Sequence, residues 1–176
     1  MWADLSLSLS AGEAVHISGA NGVGKSSLLR VLAGLLPPSA GRVVSEASIG
    51  LCDERLALDR NRSVADALRF WADYGANRAG ITAALAQVGL APLADVPVRY
   101  LSTGQRKRAA MAMIVLQNAR IWLLDEPLNG LDGDGVDRML AAIDAHLDTG
   151  GCAIIASHQP ITIPAIHRLD LDAYLP

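Results

Sequence analysis

The hydrophobic residues of this chain follow two spacings, short continuous runs and longer stretches with helical periodicity. The short runs are typical of buried strands and lie at residues 13–18, 47–51, 121–124, 152–156 and 167–171. The longer stretches predict helices at residues 26–35, 106–118 and 134–147. Strands that alternate with helices in this order predict an α/β fold.

Two weaker patterns predict additional strands beside this core. Leucine and serine alternate strictly over residues 5–9, which predicts a half-exposed antiparallel strand. Residues 42–44 predict another short strand. We therefore expect a small antiparallel β part in addition to the α/β core.

A helical insert separates the strand at 47–51 from the helix at 106–118. Ser63 and Asp66 resemble a capping box at the start of the insert. Its first helix carries one apolar stripe, formed by Val64, Ala67, Leu68 and Trp71, and its second helix carries another, formed by Ile81, Leu85 and Val88. We expect these stripes to pack against each other rather than to bind a ligand.

Residues 19–26 read Gly-Ala-Asn-Gly-Val-Gly-Lys-Ser and fit the pattern G-x-x-x-x-G-K-[ST]. The glycines of this loop let backbone N–H groups converge on nucleotide phosphates, and the following helix adds the positive end of its dipole. In this motif Lys25 reaches the β- and γ-phosphates, and the Ser26 hydroxyl ligates Mg²⁺. Because the loop follows a predicted strand and precedes a predicted helix, the sequence predicts that the chain binds a nucleoside triphosphate.

A second motif, Leu-Ser-Thr-Gly-Gln at residues 101–105, precedes the long helix at 106–118. Ser102 lies where an N-cap belongs, and Gln105 completes an S-x-x-Q capping box. The helix N-terminus and the serine hydroxyl together predict a second anion site. The pentapeptide by itself fits an ordinarily capped helix equally well.

The strand at 121–124 favours the functional interpretation, because it ends in Asp125-Glu126-Pro127, a Walker B pattern. Packing explains two adjacent carboxylates at the end of a buried strand poorly, since both would be desolvated at the edge of the core. We expect Asp125 to hold the metal shell. Glu126 is the best candidate to orient or deprotonate the water that attacks the γ-phosphate.

These motifs resemble the nucleotide-binding subunit of ABC transporters, and the resemblance covers nearly the whole chain. The phosphate-binding loop, the signature pentapeptide, the Walker B strand, a D-loop at 129–132 and the switch histidine His158 come in that family's order and spacing. Within the family, the chain is similar to the haem exporter ATP-binding subunits of cytochrome c maturation (CcmA type). The similar stretches are residues 96–105, 122–132 and 151–160.

The resemblance implies a P-loop NTPase fold of the ABC type, with a RecA-like core, a small, N-terminally shortened antiparallel β part and a helical subdomain. It implies a single domain over residues 1–176. Residues 1–62 and 106–176 would form the core with its antiparallel part, and residues 63–105 the helical subdomain that ends in the signature motif.

The resemblance also implies a role for each site residue. Nucleotide binding falls to Gly19, Ala20, Asn21, Gly22, Val23, Gly24, Lys25, Ser26 and Ser27. The catalytic residues would be Glu126, His158 and Lys25, with His158 hydrogen-bonded to the γ-phosphate. Ser26 and Asp125 would hold Mg²⁺. The D-loop residues are Asn129, Leu131 and Asp132, and the signature residues that would act on a second copy are Leu101, Ser102, Thr103, Gly104 and Gln105.

The family hydrolyses ATP only when two nucleotide-binding domains close head to tail. The resemblance therefore implies a homodimer in which the signature of one copy meets the γ-phosphate held by the other. It also implies an integral-membrane permease of the haem exporter complex as a separate chain. The protein would then be peripheral on the cytoplasmic face of the inner membrane, with ATP and Mg²⁺ as its cofactors.

The sequence departs from the family pattern at two positions. The aromatic residue that stacks on adenine is expected upstream of the chain's first strand, and Trp2 lies too near the phosphate loop to replace it. Adenine is then held loosely, or the start codon is assigned too late. The glutamine expected after the strand at 47–51 is replaced by Asp53-Glu54. A carboxylate at Glu54 could ligate Mg²⁺, but it adds negative charge beside a triphosphate.

Composition narrows the function classes further. The net charge of −3 and the pI of about 5.7 argue against nucleic acid as a partner. No apolar run approaches the roughly 20 residues of a membrane-spanning helix, and the N-terminus lacks the pattern of a signal peptide. Cys52 and Cys152 are isolated, which favours buried thiols in a reducing cytosol over a disulfide or a metal pair.

Three alternatives to haem export share the same phosphate loop. A small-molecule P-loop kinase would leave the signature pentapeptide unexplained. A non-transport ABC ATPase would use the same site without a membrane partner. The ATPase of another exporter, for lipid or peptide, would carry identical catalytic motifs.

Overall fold

A computed structural model describes residues 3–53, 55–77, 80–164 and 166–175. Within these residues, five parallel strands form one sheet in the order β2-β3-β4-β1-β5. The strands are β1 (Ala14–Ser18), β2 (Ile49–Cys52), β3 (Ile121–Asp125), β4 (Cys152–Ala156) and β5 (Ile166–Asp170). The central strands β3 and β4 are almost continuously apolar because helices and loops cover both faces of the sheet.

Five α-helices connect and cover these strands in the described part of the chain. They are α1 (Lys25–Leu32), α2 (Val64–Tyr74), α3 (Ile81–Gln87), α4 (Thr103–Gln117) and α5 (Gly133–Asp148). The predicted N-caps are confirmed, since Ser63 accepts a hydrogen bond from the Asp66 amide and Ser102 forms a complete capping box with Gln105.

The strands divide their side chains between two apolar clusters, because successive residues of a strand point to opposite faces. On one face, Leu28 and Leu29 of α1 pack against the sheet near Leu123 and Ile154. The other face carries α4 and α5, and helices α2 and α3 pack on α4. The first turns of α4 lie beside the segment that follows β3, since Lys107 donates to the Glu126 carbonyl and Gly104 lies against Gly130.

The two predicted strands outside the parallel sheet are wrong. Residues 5–9 and 42–44 form no β-ladder. The alternation in the N-terminal segment is nevertheless real, because its leucines are half-buried against the cluster beneath α1 while its serines are exposed. A period of two therefore reports which face is buried, but a strand also needs a hydrogen-bonding partner.

The helix lengths also bear on membrane crossing. Among the residues that the structure describes, no helix combines the length and the hydrophobicity needed to span a bilayer.

Candidate functional site

The carboxyl ends of all five strands lie at one edge of the sheet, and most of the predicted site residues follow them directly. The phosphate loop follows β1, Asp53 follows β2, and Glu126 follows β3. His158 follows β4 after one residue, and Asp172 lies beyond β5. In open parallel sheets this edge is where ligands bind.

The phosphate loop takes its shape from glycines that have positive φ angles. Gly19, Gly22 and Gly24 have φ values of 138°, 84° and 107°, which residues with a Cβ rarely adopt. The Val23 amide donates to the Ala20 carbonyl at 3.2 Å and closes a turn within the loop. The remaining nucleotide-binding candidates lie in the same loop and in the first turn of α1, with Ala20 and Asn21 exposed.

Lys25 is the first residue of α1 and is only 7% exposed. Its ammonium donates to the carbonyl oxygens of Gly19 at 2.8 Å and Ala20 at 3.2 Å. The lysine is thus folded back across the loop, within the ring of backbone that would surround a phosphate. These two hydrogen bonds compensate for the burial of the lysine charge, and an anionic group would bind the ammonium more strongly than a carbonyl does.

Sequence reasoning missed a carboxylate beside this loop. The Ala20 amide donates to Oδ2 of Asp172 at 2.9 Å. The same peptide unit carries the Gly19 carbonyl that accepts from Lys25, so a cation and an anion hold its two ends. The sequence offers no signal for this contact, because only the pairing of β1 with β5 brings residue 172 to the loop.

Glu126 lies at the carboxyl end of β3 in a left-handed backbone conformation, with a φ of 47°. Its amide donates to the Ala156 carbonyl at 2.8 Å. Its carboxylate accepts from Nδ1 of His158 at 2.8 Å and from the His158 amide at 3.2 Å. The structure therefore brings together the two residues that the sequence predicted at the γ-phosphate.

Lys107 of α4 is a further residue at this position that sequence reasoning missed. Its ammonium donates to the carbonyl oxygen of Glu126, and the Asn129 amide donates to the same oxygen at 3.3 Å. A small cavity of about 60 Å³ lies beside it, lined in part by Cys52, Asp53 and Asp125. Burial raises the pKa of the Cys52 thiol to about 12, so this cysteine stays protonated at neutral pH.

The signature residues lie against the D-loop of the same chain. A Cβ added to Gly104 would meet the Gly130 carbonyl oxygen at 3.0 Å, so this position has no room for a side chain without a shift. Leu101 is buried, whereas Ser102 and Thr103 are exposed. Of the predicted D-loop residues, Asn129 and Asp132 are exposed and Leu131 is half-buried. Asp132 caps α5 by accepting from the Gly135 amide at 2.9 Å.

The oxygen donors at the sheet edge fit a magnesium ion. Ser26 supplies a hydroxyl in the first turn of α1, and Asp125 supplies a carboxylate that is 6% exposed at the end of β3. Magnesium usually takes only one or two protein carboxylates and completes its shell with water and substrate phosphates. The described residues contain no cluster of three or more histidine, cysteine or acidic side chains that could hold a metal ion, and this mode of binding needs none.

The predicted ligand Glu54 lies outside the described residues. Its neighbour Asp53 is half-buried, and its carboxylate accepts from the Arg55 amide at 2.9 Å and lies 3.8 Å from the Arg30 guanidinium. Asp53 is therefore held by its own loop and by α1. The residue that takes the place of the expected glutamine stays a prediction.

Comparisons with known proteins agree with this geometry. The ABC transporter family profile matches residues 2–129. The chain is 54% identical to the cytochrome c biogenesis ATP-binding export protein CcmA of Novosphingobium aromaticivorans, over 98% of this chain and 88% of that protein. It is 47% identical to the protein of the same name from Sphingopyxis alaskensis, over 94% and 86% of the two chains.

A solved structure shares the fold over almost the whole chain. It is an ABC transporter ATP-binding protein from Pyrococcus furiosus, with a TM-score of 0.85 and 27% sequence identity. The superposition covers 97% of this chain and 90% of that structure.

Proposed function

The chain belongs to the ABC transporter family and, within it, to the cytochrome c biogenesis ATP-binding export proteins of the CcmA type, and we propose that it powers haem export in c-type cytochrome assembly. As the ATP-binding subunit of that system, it binds and hydrolyses ATP. The observation that carries haem export is the 54% identity to a cytochrome c biogenesis ATP-binding export protein CcmA. ATP hydrolysis is supported by the phosphate loop and the Glu126–His158 pair, which follow strands of one parallel sheet at the same edge.

The chemistry of this site is the in-line attack of water on the γ-phosphate. Lys25 and the loop amides are proposed to hold the β- and γ-phosphates and to neutralise charge that develops in the transition state. Glu126 accepts the proton or orients the water. His158 binds the Glu126 carboxylate through Nδ1, and we propose that its other ring nitrogen hydrogen-bonds the γ-phosphate. Ser26 and Asp125 would hold Mg²⁺, which would supply Lewis-acid stabilisation of the phosphate oxygens.

The family membership also supports an assembly. We propose a head-to-tail homodimer in which Ser102, Gly104 and Gln105 of one copy meet the γ-phosphate bound by the other. The exposure of Ser102 and Thr103 at the N-terminus of α4 supports this arrangement, because the N-terminus of a helix attracts anions. The dimer would bind the permease of the haem exporter at the cytoplasmic face of the inner membrane. Residues 63–105 are proposed as the helical subdomain, with the rest of the chain as the core.

The phosphate-loop assignment is tested by Lys25→Ala. We expect ATP hydrolysis to fall by about 10²- to 10³-fold, because the variant loses a preorganised cation at the transferred phosphate. Arg69→Ala is the matched control, since it also removes one cation but from an exposed ion pair on α2. Equal rates for wild type and Lys25→Ala in well-folded protein would contradict the proposed site.

The head-to-tail dimer is tested by light scattering with ATP. Glu126→Gln should retain ATP but lose the group that activates water, so that closed dimers accumulate. Adding Ser102→Arg to this variant should return the protein to a monomer, because a long side chain at the signature blocks closure. Wild-type rates of hydrolysis by the Ser102→Arg single variant would rule out the composite site.

A further inference from the structure

We propose that Lys107 is a positioning residue for ATP hydrolysis, which holds the backbone of Glu126 in the conformation that directs its carboxylate to the attacking water. This inference rests on the proposed function, because it concerns the same hydrolytic site. Lys107 would act through Glu126 and not through contact with the nucleotide.

The backbone of Glu126 needs such support. Its φ of 47° lies in the left-handed region, which is unfavourable for a residue with a Cβ and persists only where surrounding contacts enforce it. Glycine takes this role in the phosphate loop, but a glycine cannot carry a catalytic carboxylate. The strain at Glu126 must therefore be offset by contacts from other parts of the chain.

Three elements supply those contacts. The Ala156 carbonyl of β4 accepts from the Glu126 amide, and His158 binds the Glu126 carboxylate. Lys107 of α4 donates to the Glu126 carbonyl oxygen. Hydrogen bonds from a charged donor are roughly twice as strong as neutral ones, so the lysine is well suited to fix the carbonyl direction. The direction of this carbonyl sets the peptide plane that follows Glu126 and thus its ψ angle, while the amide bonded to Ala156 sets the preceding plane and thus its φ angle.

The two residues that flank Lys107 on α4 contact other parts of the chain. Arg106 donates to the Leu101 carbonyl at 2.8 Å and closes the signature segment. Arg108 donates to the Val88 carbonyl at 3.1 Å and ties α4 to the end of α3. Lys107 lies between them and is directed at the end of β3. It therefore joins the signature helix to the catalytic glutamate within one chain.

The surroundings of Lys107 favour a functional role over that of an ordinary surface lysine. Lys107 is half-buried and lines the same small cavity as Asp53 and Asp125. Removing an ammonium group from water costs free energy unless a hydrogen-bond acceptor compensates for it, and the Glu126 carbonyl oxygen is such an acceptor.

The test measures kcat, KM and the ATP dissociation constant for Lys107→Met and Lys107→Arg. For Lys107→Met we expect kcat to fall by about 10- to 100-fold, because small misplacements of a catalytic group have effects of this size. KM and ATP binding should stay within about threefold, because Lys107 does not contact the nucleotide. Lys107→Arg keeps a cationic donor and should recover most of kcat.

Arg108→Met is the matched control, because it removes an adjacent cation and a carbonyl contact from the same helix. It should leave kcat within about twofold of wild type. If Lys107→Met does not fold, Lys107→Gln, which keeps a neutral donor, takes its place and should show the same split between kcat and KM.

The dependence on Glu126 is tested in the Glu126→Gln background. There the Lys107→Met substitution should reduce the residual rate by less than about twofold, since the carboxylate that it positions is already gone. An equal loss in both backgrounds would overturn the proposal, as would unchanged kcat in Lys107→Met alone. If the wild type fails to hydrolyse ATP, the proposed function fails first and independently of Lys107.

Discussion

The phosphate loop and the glutamate–histidine pair face the same edge of the sheet, yet they are built in opposite ways. The loop is one contiguous segment, residues 19–26, whose left-handed positions are all glycines. The pair joins Glu126 and His158, which are 32 residues apart, and Lys107 reaches it from a third element 19 residues away. The first region is mainly local, with Asp172 as a distant contact, and places glycines at its left-handed positions, whereas the second is long-range and holds a strained backbone.

This difference separates binding from chemistry. A loop of backbone amides can cradle a phosphate with few contacts from the rest of the fold, because its shape follows mainly from glycine φ angles. The catalytic carboxylate must be directed at one water, so its position depends on contacts from β4 and α4. We therefore expect substitutions of the loop glycines to change mainly ATP affinity, and substitutions around Glu126 to change mainly the rate of hydrolysis; Lys25 belongs to both groups, because it also neutralises charge in the transition state.

The largest expected effect in this comparison comes from His158→Ala. Loss of the 2.8 Å contact to the Glu126 carboxylate should lower kcat by roughly 10²-fold, the lower end for a general acid–base group. ATP affinity should change by less than about threefold. Steady-state ATPase assays and equilibrium binding measure the two quantities separately.

His167→Ala serves as the control for His158→Ala, because His167 lies on β5 with a side chain that is 68% exposed. A large loss of ATP affinity with little loss of kcat in His158→Ala would contradict the assignment of this region to catalysis. It would place the main contact of His158 on the nucleotide rather than on Glu126.

The next largest effect is expected on ATP affinity, for the substitution Gly22→Ala in the phosphate loop. The φ of Gly22 is 84° and a Cβ there would meet no atom within 4 Å, so the substitution changes backbone strain alone. A cost of about 1–2 kcal/mol should weaken ATP binding by about 5- to 30-fold and leave kcat at saturating ATP nearly unchanged.

Gly41→Ala is a matched control for strain without function. Gly41 has a φ of 77°, an equally open surrounding and a position in the exposed segment before β2. It should destabilise the fold by a similar amount in chemical denaturation but leave ATP affinity at the wild-type value. Equal ATP affinities for Gly22→Ala and wild type would show that the loop tolerates a residue with a Cβ at this position, which contradicts the role assigned to its glycines.

The smallest effect is expected for Asp172→Ala. This substitution tests whether a contact from a distant part of the chain contributes to ATP binding by the loop. Losing the acceptor for the Ala20 amide should raise KM for ATP by about two- to fivefold, the size of one hydrogen bond. Asp172→Asn keeps a carbonyl acceptor and should lie nearer to wild type. A fall in kcat instead of a rise in KM would mean that the loop depends on tertiary contacts for catalysis as well.

The sequence by itself determined the features that depend on neighbouring residues. Ser63 and Ser102 were predicted as helix caps and are found as such, because a cap is a hydrogen bond to a residue three positions away. The phosphate loop, the apolar runs of the five strands and the order of helices were likewise readable from local pattern. The match of motif order to a known family led from these features to ATP hydrolysis.

Only the tertiary structure decided what depends on strand order and on backbone geometry. Residues 5–9 have a strand-like period but pair with no neighbour, since burial and ladder formation are separate requirements. The sheet places β4 between β3 and β1, and this permuted order brings Glu126 to His158 and residue 172 to the loop. The left-handed backbone of Glu126 and its contact with Lys107 arise from packing between distant segments, for which a one-dimensional pattern carries no signal.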